Sequence, residues 1–243
     1  MPALPKRLTE PAVLLELFVW SNLAFLALDV YLAHRVVAFN HWGTYVPLVF
    51  SIAAPLLIAL AWLIGGFTAQ RGPAKAIAVL VGLCAVVVGV AGLVLHLDGF
   101  FVAPTLKRLV YAAPFAAPLA YTGLGLLLIM NRMVPHGHRD WPQWVMLMAL
   151  GGWVGNLALA LADHAQIGFK DWRTWISVVA AAIGVGFLAV AMRTRVPRGF
   201  LKFVLAVMVL QIVVAVMGFV LHIQADLHGP AKAWLDNFIF GAP

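Results

Sequence analysis

Aspartate and asparagine recur as pairs inside apolar stretches of this sequence. Asn22 and Asp29 are seven residues apart in the first such stretch, Asn-Leu-Ala-Phe-Leu-Ala-Leu-Asp. Asn156 and Asp163 repeat the spacing in Asn-Leu-Ala-Leu-Ala-Leu-Ala-Asp. Seven residues make two turns of an α-helix, so each Asn shares a helix face with its Asp. Such groups are costly in apolar helices and usually face a bundle interior or cavity, which makes them candidates for a functional site.

Histidine supplies a second matched pair. His96 ends the segment Gly-Leu-Val-Leu-His, and His222 ends the similar segment Gly-Phe-Val-Leu-His. Imidazole and carboxylate together suit copper, zinc, iron or manganese, and an Asp can accept the second ring N–H of a ligating His. Alternatively, His96 and His222 could ligate one b-type haem from opposite helices. The predicted metal ligands are Asp29, His96, Asp163 and His222, with His34 and His164 as secondary candidates and Asn22 and Asn156 as supporting groups.

The same side chains also have a purely structural interpretation. Asp, Asn and His near helix ends cap helices and form hydrogen bonds between them. Glu16 lies near the opposite end of the first apolar stretch. We expect its carboxylate to reach the membrane interface or to pair with Lys6 or Arg7, and a role in a proton relay is the alternative.

The composition requires a membrane around these residues. Of 243 residues, 64% are apolar and 10% are charged, and the mean hydropathy is +0.99. A soluble domain is about half apolar and about a quarter charged, so the bilayer must act as solvent for this chain. The net charge of +7 is not gathered on a basic helix with interleaved aromatic residues, which argues against nucleic-acid binding. Cys84 is the only cysteine, so an internal disulfide and a thiolate-based metal site are excluded.

Seven windows are long and apolar enough to cross a bilayer, which takes about 20 residues. In lipid every backbone amide must be paired within its own segment, so the windows are predicted to be helices. The predicted fold is therefore an all-α polytopic membrane bundle with seven transmembrane helices. The windows are residues 11–33, 46–66, 76–97, 109–130, 144–163, 175–192 and 200–223.

An internal repeat relates the two halves of the chain. Residues 42–45 (Trp-Gly-Thr-Tyr) resemble residues 172–175 (Trp-Arg-Thr-Trp), and residues 111–114 (Tyr-Ala-Ala-Pro) resemble residues 240–243 (Phe-Gly-Ala-Pro). Together with the Asn/Asp and His pairs, these matches keep one order along the chain. Their offsets are 134 (163 − 29), 130 (172 − 42), 126 (222 − 96) and 129 (240 − 111). The pattern predicts a tandem duplication of a four-helix unit.

The duplication predicts the domain organisation and the position of the site. The expected parts are a cytoplasmic segment 1–10, a first repeat 11–130, a linker 131–143 and a second repeat 144–243. The eighth helix would start near Phe238, so it is either lost or lies beyond the given sequence. Two four-helix units enter the membrane from the same side and are related by an axis along its normal. We therefore expect the matched Asp and His side chains to converge near one membrane face.

Charge and aromatic residues predict the orientation. Ten Lys and Arg residues fall on the side of the N-terminus and six on the other, which predicts a cytoplasmic N-terminus in a bacterial inner membrane. The site then lies near the outer face. Six tryptophans fall near predicted helix ends, as in an aromatic belt. They are Trp42, Trp141, Trp144, Trp172, Trp175 and Trp234.

Three functions fit the sequence. The leading hypothesis is a membrane subunit of a redox or metal-handling assembly, because the connections are too short to bind soluble partners alone. Its partners would be the lipid bilayer and other membrane or periplasmic subunits. The alternatives are a small-solute or ion transporter that uses the repeat interface, and a structural anchor or scaffold without a cofactor. No sequence motif of a nucleotide-binding loop or hydrolase nucleophile is present, and no general base stands out.

Overall fold

A computed structural model describes residues 9–111, 113–193 and 196–241. Lys6, Arg7 and Arg195, which contribute to the predicted charge bias, lie outside these ranges, as do Ala112, Ala242 and Pro243 of the last repeat match. Within the ranges all regular secondary structure is helical, so the prediction of an all-α protein is confirmed.

Ten α-helices and one short 3₁₀ turn make up the described chain. Six of the helices, counting the 3₁₀ turn with α2, are long and apolar enough to cross a membrane: α1, α2, α3, α7, α8 and α9. The elements are α1 (Pro11–Arg35), the 3₁₀ turn (Trp42–Thr44), α2 (Tyr45–Gly65), α3 (Gly72–His96), α4 (Asp98–Val102), α5 (Leu106–Tyr111), α6 (Leu119–Met133), α7 (Asp140–Gln166), α8 (Thr174–Met192), α9 (Arg198–Leu227) and α10 (Trp234–Phe240).

The fourth predicted span is not one helix. Helix α5 ends at Tyr111 and α6 begins at Leu119, with Pro114 and Pro118 between them. Proline lacks an N–H and pushes the preceding residue out of the helical region, so the chain breaks where the prediction runs through. The 15 residues of α6 rise about 22 Å, less than the roughly 30 Å of a hydrocarbon core. The structure therefore has six candidate spans and one shorter apolar helix, α6, in the described part of the chain.

The described residues form two compact units. Of the described residues, unit 1 comprises 9–92 and 118–148, and unit 2 comprises 93–111, 113–117, 149–193 and 196–241. In unit 1, α1, α2, most of α3 and α6 surround a buried apolar core. From Val13 onward, the buried positions of α1 recur every three, four or seven residues, so one stripe of the helix faces the core.

Glycines let α3 and α6 approach closely in unit 1. A Cβ on Gly82 would lie 2.6 Å from Cγ1 of Ile129 and 2.8 Å from the carbonyl oxygen of Gly125. A Cβ on Gly125 would lie 2.9 Å from Cβ of Ala85. These distances leave no room for side chains, as is common where small residues allow membrane helices to pack backbone to backbone.

Helix α6 runs the length of unit 1. Near its start, the Tyr121 hydroxyl donates to the carbonyl of Pro47 at the start of α2 (3.3 Å). Near its end, Asn131 Nδ2 donates to the carbonyl of Ala12 at the start of α1 (3.0 Å). Because α1 and α2 are antiparallel neighbours, their first residues lie at opposite ends of the unit. The short α6 thus extends from one end of this bundle to the other.

Unit 2 is held by polar contacts within the helix pairs α8–α9 and α9–α10. The buried Gln211 of α9 donates to the carbonyl of Ala180 in α8 (3.0 Å). The side chain of Asn237 in α10 accepts the N–H of Ala231 (2.8 Å) and donates to its carbonyl (3.3 Å), which fixes the turn that follows α9.

Candidate functional site

The turns that follow α1 and α7 have the same backbone geometry. The N–H of Phe39 donates to the carbonyl of His34 (3.3 Å), and the N–H of Phe169 donates to the carbonyl of His164 (3.2 Å). Phe39 and Phe169 both have a φ of 52°, in the left-handed region that such helix ends require. The matching residues are 130 apart (164 − 34).

The second half of each turn also matches. The Thr44 hydroxyl donates to the carbonyl of His41 (2.6 Å), and the Thr174 hydroxyl donates to the carbonyl of Asp171 (2.6 Å). The side chains of His41 and Asp171 each accept the N–H of the residue two positions later, at 3.1 and 2.9 Å. The offset is again 130 (174 − 44). We call these segments, residues 34–45 and 164–175, the twin turns.

An aromatic ring lies against the histidine at the start of each twin turn. The ring of Phe39 has its centroid 6.1 Å from that of His34 and 5.0 Å from that of Tyr45. The ring of Phe169 has its centroid 6.4 Å from that of His164 and stacks on the ring of Trp175 at 4.3 Å. Each imidazole is therefore positioned by both the backbone and a neighbouring ring.

The twin turns define a register that shifts the predicted Asp pairing. Helix α1 and helix α7 are each unbroken. Residues that are 130 positions apart therefore correspond along the whole of both helices, as His34 and His164 do. The proposed pairing of Asp29 with Asp163 needs an offset of 134, as does that of the Asn residues. Four residues are about one helical turn, or about 6 Å along the axis. Asp163 therefore adjoins its imidazole in sequence, whereas Asp29 precedes His34 by five residues.

The predicted ligands are divided between the units. Asp29, Asn22 and His34 belong to unit 1. His96, His222, Asp163, His164 and Asn156 belong to unit 2. The described part of the chain contains no group of three or more His, Cys, Asp or Glu side chains arranged to hold a metal ion.

Two of the predicted side chains lie close together in unit 2. The rings of His164 and His222 have centroids 6.5 Å apart and planes inclined by 36°. Asp163 directly precedes His164 near the end of α7. Nδ1 of His222 is buried and has no hydrogen-bond partner. A buried ring nitrogen without a partner is costly unless something binds it.

Ser177 bonds one ring nitrogen of His164. The Ser177 hydroxyl lies 3.0 Å from the carbonyl of Thr174 and 3.1 Å from Nε2 of His164. With its hydrogen on the Thr174 carbonyl, Ser177 accepts from Nε2, and neutral His164 then presents a lone pair on Nδ1. A lone pair on a positioned ring nitrogen is what a metal ligand requires.

The other predicted groups are engaged differently. Nδ1 of His96 donates to the carbonyl of Pro114 (3.0 Å), and Nδ1 of His34 donates to the carbonyl of Val30 on its own helix (3.0 Å). Asn22 likewise donates to the carbonyl of Phe18 (2.8 Å). His34 is therefore the positional counterpart of His164 but has the opposite ring nitrogen bonded.

The sequence interpretation missed a buried ion pair between Glu16 and Arg132. Both side chains are 0% exposed, and the Arg132 guanidinium bonds the Glu16 carboxylate directly. Glu16 also accepts from Trp62 Nε1 (2.7 Å) and Asn131 Nδ2 (3.3 Å), while Arg132 donates to the carbonyl of Ala69 (2.9 Å). The expectation that Glu16 reaches the interface is wrong. Its side chain is buried inside unit 1, where it meets Arg132 near the end of α6.

This ion pair belongs to a network that closes one end of unit 1. Trp141 Nε1 donates to Oδ1 of Asn131 (3.2 Å), and His136 donates to the Asn131 carbonyl (2.9 Å). Gln70 donates to the carbonyl of Val134 (2.7 Å). The network joins α1, α2 and α6 to the start of α7, so its geometry is that of a structural clamp.

A second polar group lies toward the other end of unit 1. The Ser51 and Tyr121 hydroxyls are 2.5 Å apart and share a hydrogen bond. Fully buried Leu23 and Leu128 belong to the apolar core between this group and the Glu16 network. The polar side chains in the described part of unit 1 therefore do not form a continuous path through it.

Comparison with known proteins finds no matching family, no matching curated protein and no matching solved structure.

Proposed function

We propose that this chain is an integral membrane subunit that binds a transition-metal ion through His164 and His222 and works in a redox or metal-handling assembly. The observation that carries the proposal is the pair of facing imidazoles, one of which buries an unpartnered Nδ1. Copper, zinc and iron are the ions that imidazole ligands suit. His164 takes the place that the sequence interpretation gave to His96.

The ring separation supports a shared ion. Metal–nitrogen bonds to His are about 2 Å, so two imidazoles on opposite sides of one ion have centroids roughly 6 Å apart. The observed separation of 6.5 Å is close to that value. Asp163 would balance the charge of the ion or orient a ring. Further positions would be filled by water or by a donor from another subunit.

Dependence on partner subunits follows from the small extramembrane mass. The described chain places most of its residues in six long apolar helices, and the connections between α1 and α2 and between α7 and α8 are single tight turns. Membrane or periplasmic subunits would then supply or accept the metal or its electrons. The placement at the outer face rests on the charge bias of the sequence.

Metal analysis of the purified full chain tests the proposal. The chain is loaded separately with Cu⁺, Zn²⁺ and Fe²⁺, washed, and assayed for metal per protein. We expect about one ion of the preferred metal in the unmodified chain and at least a tenfold loss in His164→Ala and His222→Ala. His34→Ala is the matched control, since it removes the equivalent imidazole of the other twin turn.

Two outcomes would overturn the proposal. Equal metal in all four proteins would place the ion elsewhere, and no metal in any would favour a scaffold. An absorption spectrum separates the haem alternative, because a Soret band that disappears in His96→Ala and His222→Ala would assign b-type haem to those residues.

A further inference from the structure

Trp42 and Trp172 occupy the same position in the twin turns. Each follows the capping residue, His41 or Asp171, and precedes the hydrogen-bonded threonine by two positions. They are 74% and 71% exposed, the two highest values among the tryptophans. The turns are therefore built alike, and each presents an indole at its surface.

Two of the other tryptophans that were predicted to lie in the aromatic belt make contacts inside the protein. Trp141 donates its indole N–H to Asn131, and Trp175 stacks on Phe169 at 4.3 Å. The ring of Trp42 contacts that of the exposed capping residue His41, with centroids 5.5 Å apart, and both Trp42 and Trp172 remain mostly exposed. The geometry thus separates two outward indoles from tryptophans that complete the packing.

We infer that the twin turns are membrane-interface anchors, each of which inserts its exposed indole into the lipid headgroup layer. Indole has a large apolar body and one N–H donor, and it is enriched where lipid tails meet water. Each turn joins two helices that are long and apolar enough to cross the membrane. The turn is therefore the place where the chain leaves the hydrocarbon.

The surroundings of each indole favour lipid headgroups over a protein partner. Within the twin turns, Val36 and Ile167 are exposed directly after the helix ends. Arg35 and Lys170 of the same turns are also exposed and suit lipid phosphates. Apolar and basic groups side by side at a helix end match the layered chemistry of a bilayer surface. The hydrogen bonds of the turn hold the indole at a fixed depth.

Spin-label accessibility measures this depth. In a Cys84→Ser background, Trp42→Cys and Trp172→Cys are labelled with a nitroxide and the full chain is reconstituted in vesicles with anionic lipid. Collision rates with oxygen and with a water-soluble nickel chelate then report depth. Leu56→Cys, exposed on the middle of α2, is the hydrocarbon control, and Gly137→Cys, in the connection before α7, is the aqueous control.

We expect both labels to fall between the two controls and to agree in depth within about one helical turn, roughly 5 Å. Accessibility equal to that of Gly137→Cys would overturn the inference, because the turns would then stand in water. Because a label replaces the indole, quenching by brominated lipid is compared between the unmodified chain and Trp42→Phe or Trp172→Phe. Each replacement should lower the quenched fraction, and an unchanged fraction would also overturn the inference.

Discussion

The Glu16–Arg132 pair is the most consequential residue contact for folding. Both groups are fully buried in unit 1, and each has hydrogen bonds beyond the pair. Loss of one partner leaves an uncompensated charge in a low-dielectric interior, which costs about 3–5 kcal/mol. We expect Glu16→Gln and Arg132→Gln each to destabilise the protein by about that amount, measured by unfolding in mixed detergent micelles.

The double variant provides the sharper comparison. Glu16→Gln with Arg132→Gln removes both charges, so it should be less destabilised than the sum of the single variants. Lys107→Gln, at an exposed position, is the control and should stay within about 0.5 kcal/mol of the unmodified chain. Single variants as stable as this control would show that the pair is not a clamp.

Ser177 should govern the metal affinity of His164 without touching the ion. Its hydroxyl oxygen lies 3.1 Å from Nε2 of the imidazole and orients the ring. Replacement of such a partner typically weakens metal binding by about 10–100-fold. We expect that loss in Ser177→Ala from metal titration. Ser21→Ala, which removes a hydroxyl bonded to its own helix, should leave the affinity unchanged. Equal affinities in both variants would contradict this orienting role.

The sequence predicts the candidate site residues but not which of them lie close together. Asp163, His164 and His222 were all among the candidates, because polar groups are conspicuous in apolar helices. Their grouping in space was not predictable, since each residue along a helix turns the side chain by about 100° and hydropathy alone does not orient a helix in lipid. Arg132 falls in the predicted linker 131–143, and nothing local connects it to Glu16, 116 positions earlier.

At the scale of elements, the contact of α3 with α6 depends on glycines, which have no side chain to separate the two helices. We expect Gly125→Ala to destabilise unit 1 by about 1–3 kcal/mol, the usual cost of overpacking, because its Cβ would lie 2.9 Å from Ala85. Gly123→Ala, two residues earlier on the same helix, has nothing within 4 Å of the new Cβ and should be neutral or slightly stabilising. The check is thermal unfolding in detergent. Equal effects of the two variants would contradict the packing.

Hydropathy predicted six helices well and the seventh poorly. A window of about 20 residues averages over prolines, so residues 109–130 scored as one span although Pro114 and Pro118 were visible in the sequence. The prediction ran one helix through both prolines. In the structure they end one helix and start another, and only the second, α6, packs into unit 1.

At the scale of the whole molecule, the topology depends on whether α6 crosses the membrane. Since α6 extends along unit 1 from the start of α2 to the start of α1, we predict that it does cross. Seven crossings place the twin turns on the same side, and six would place them on opposite sides. The seven-helix tandem repeat thus predicts that the two turns lie on the same side of the membrane.

Labelling with a membrane-impermeant maleimide tests this topology. In a Cys84→Ser background, Asn40→Cys and Lys170→Cys are equivalent exposed positions in the twin turns (170 − 40 = 130). Both should react from the same side of sealed vesicles, and Gly137→Cys should react from the other. Reaction of the two turn positions from opposite sides would show that α6 does not cross, and the tandem arrangement would be wrong.

The transporter alternative also belongs to this scale. A pathway needs polar groups that continue from one face to the other. In the described part of unit 1, the apolar core lies between Tyr121 and Glu16, and the Glu16 charge is already neutralised by Arg132. The polar groups of this unit are therefore better explained by packing than by transport.

X-ray absorption at the edge of the bound metal tests the central claim most directly. The full chain is loaded with its preferred ion, and the number and kind of ligating atoms are read from the fine structure. We predict two imidazole nitrogens at about 2 Å, with multiple scattering from both rings that halves in His164→Ala and in His222→Ala but persists in His34→Ala. A shell without imidazole scattering, or one that neither substitution alters, would contradict the claim that these two histidines hold a metal.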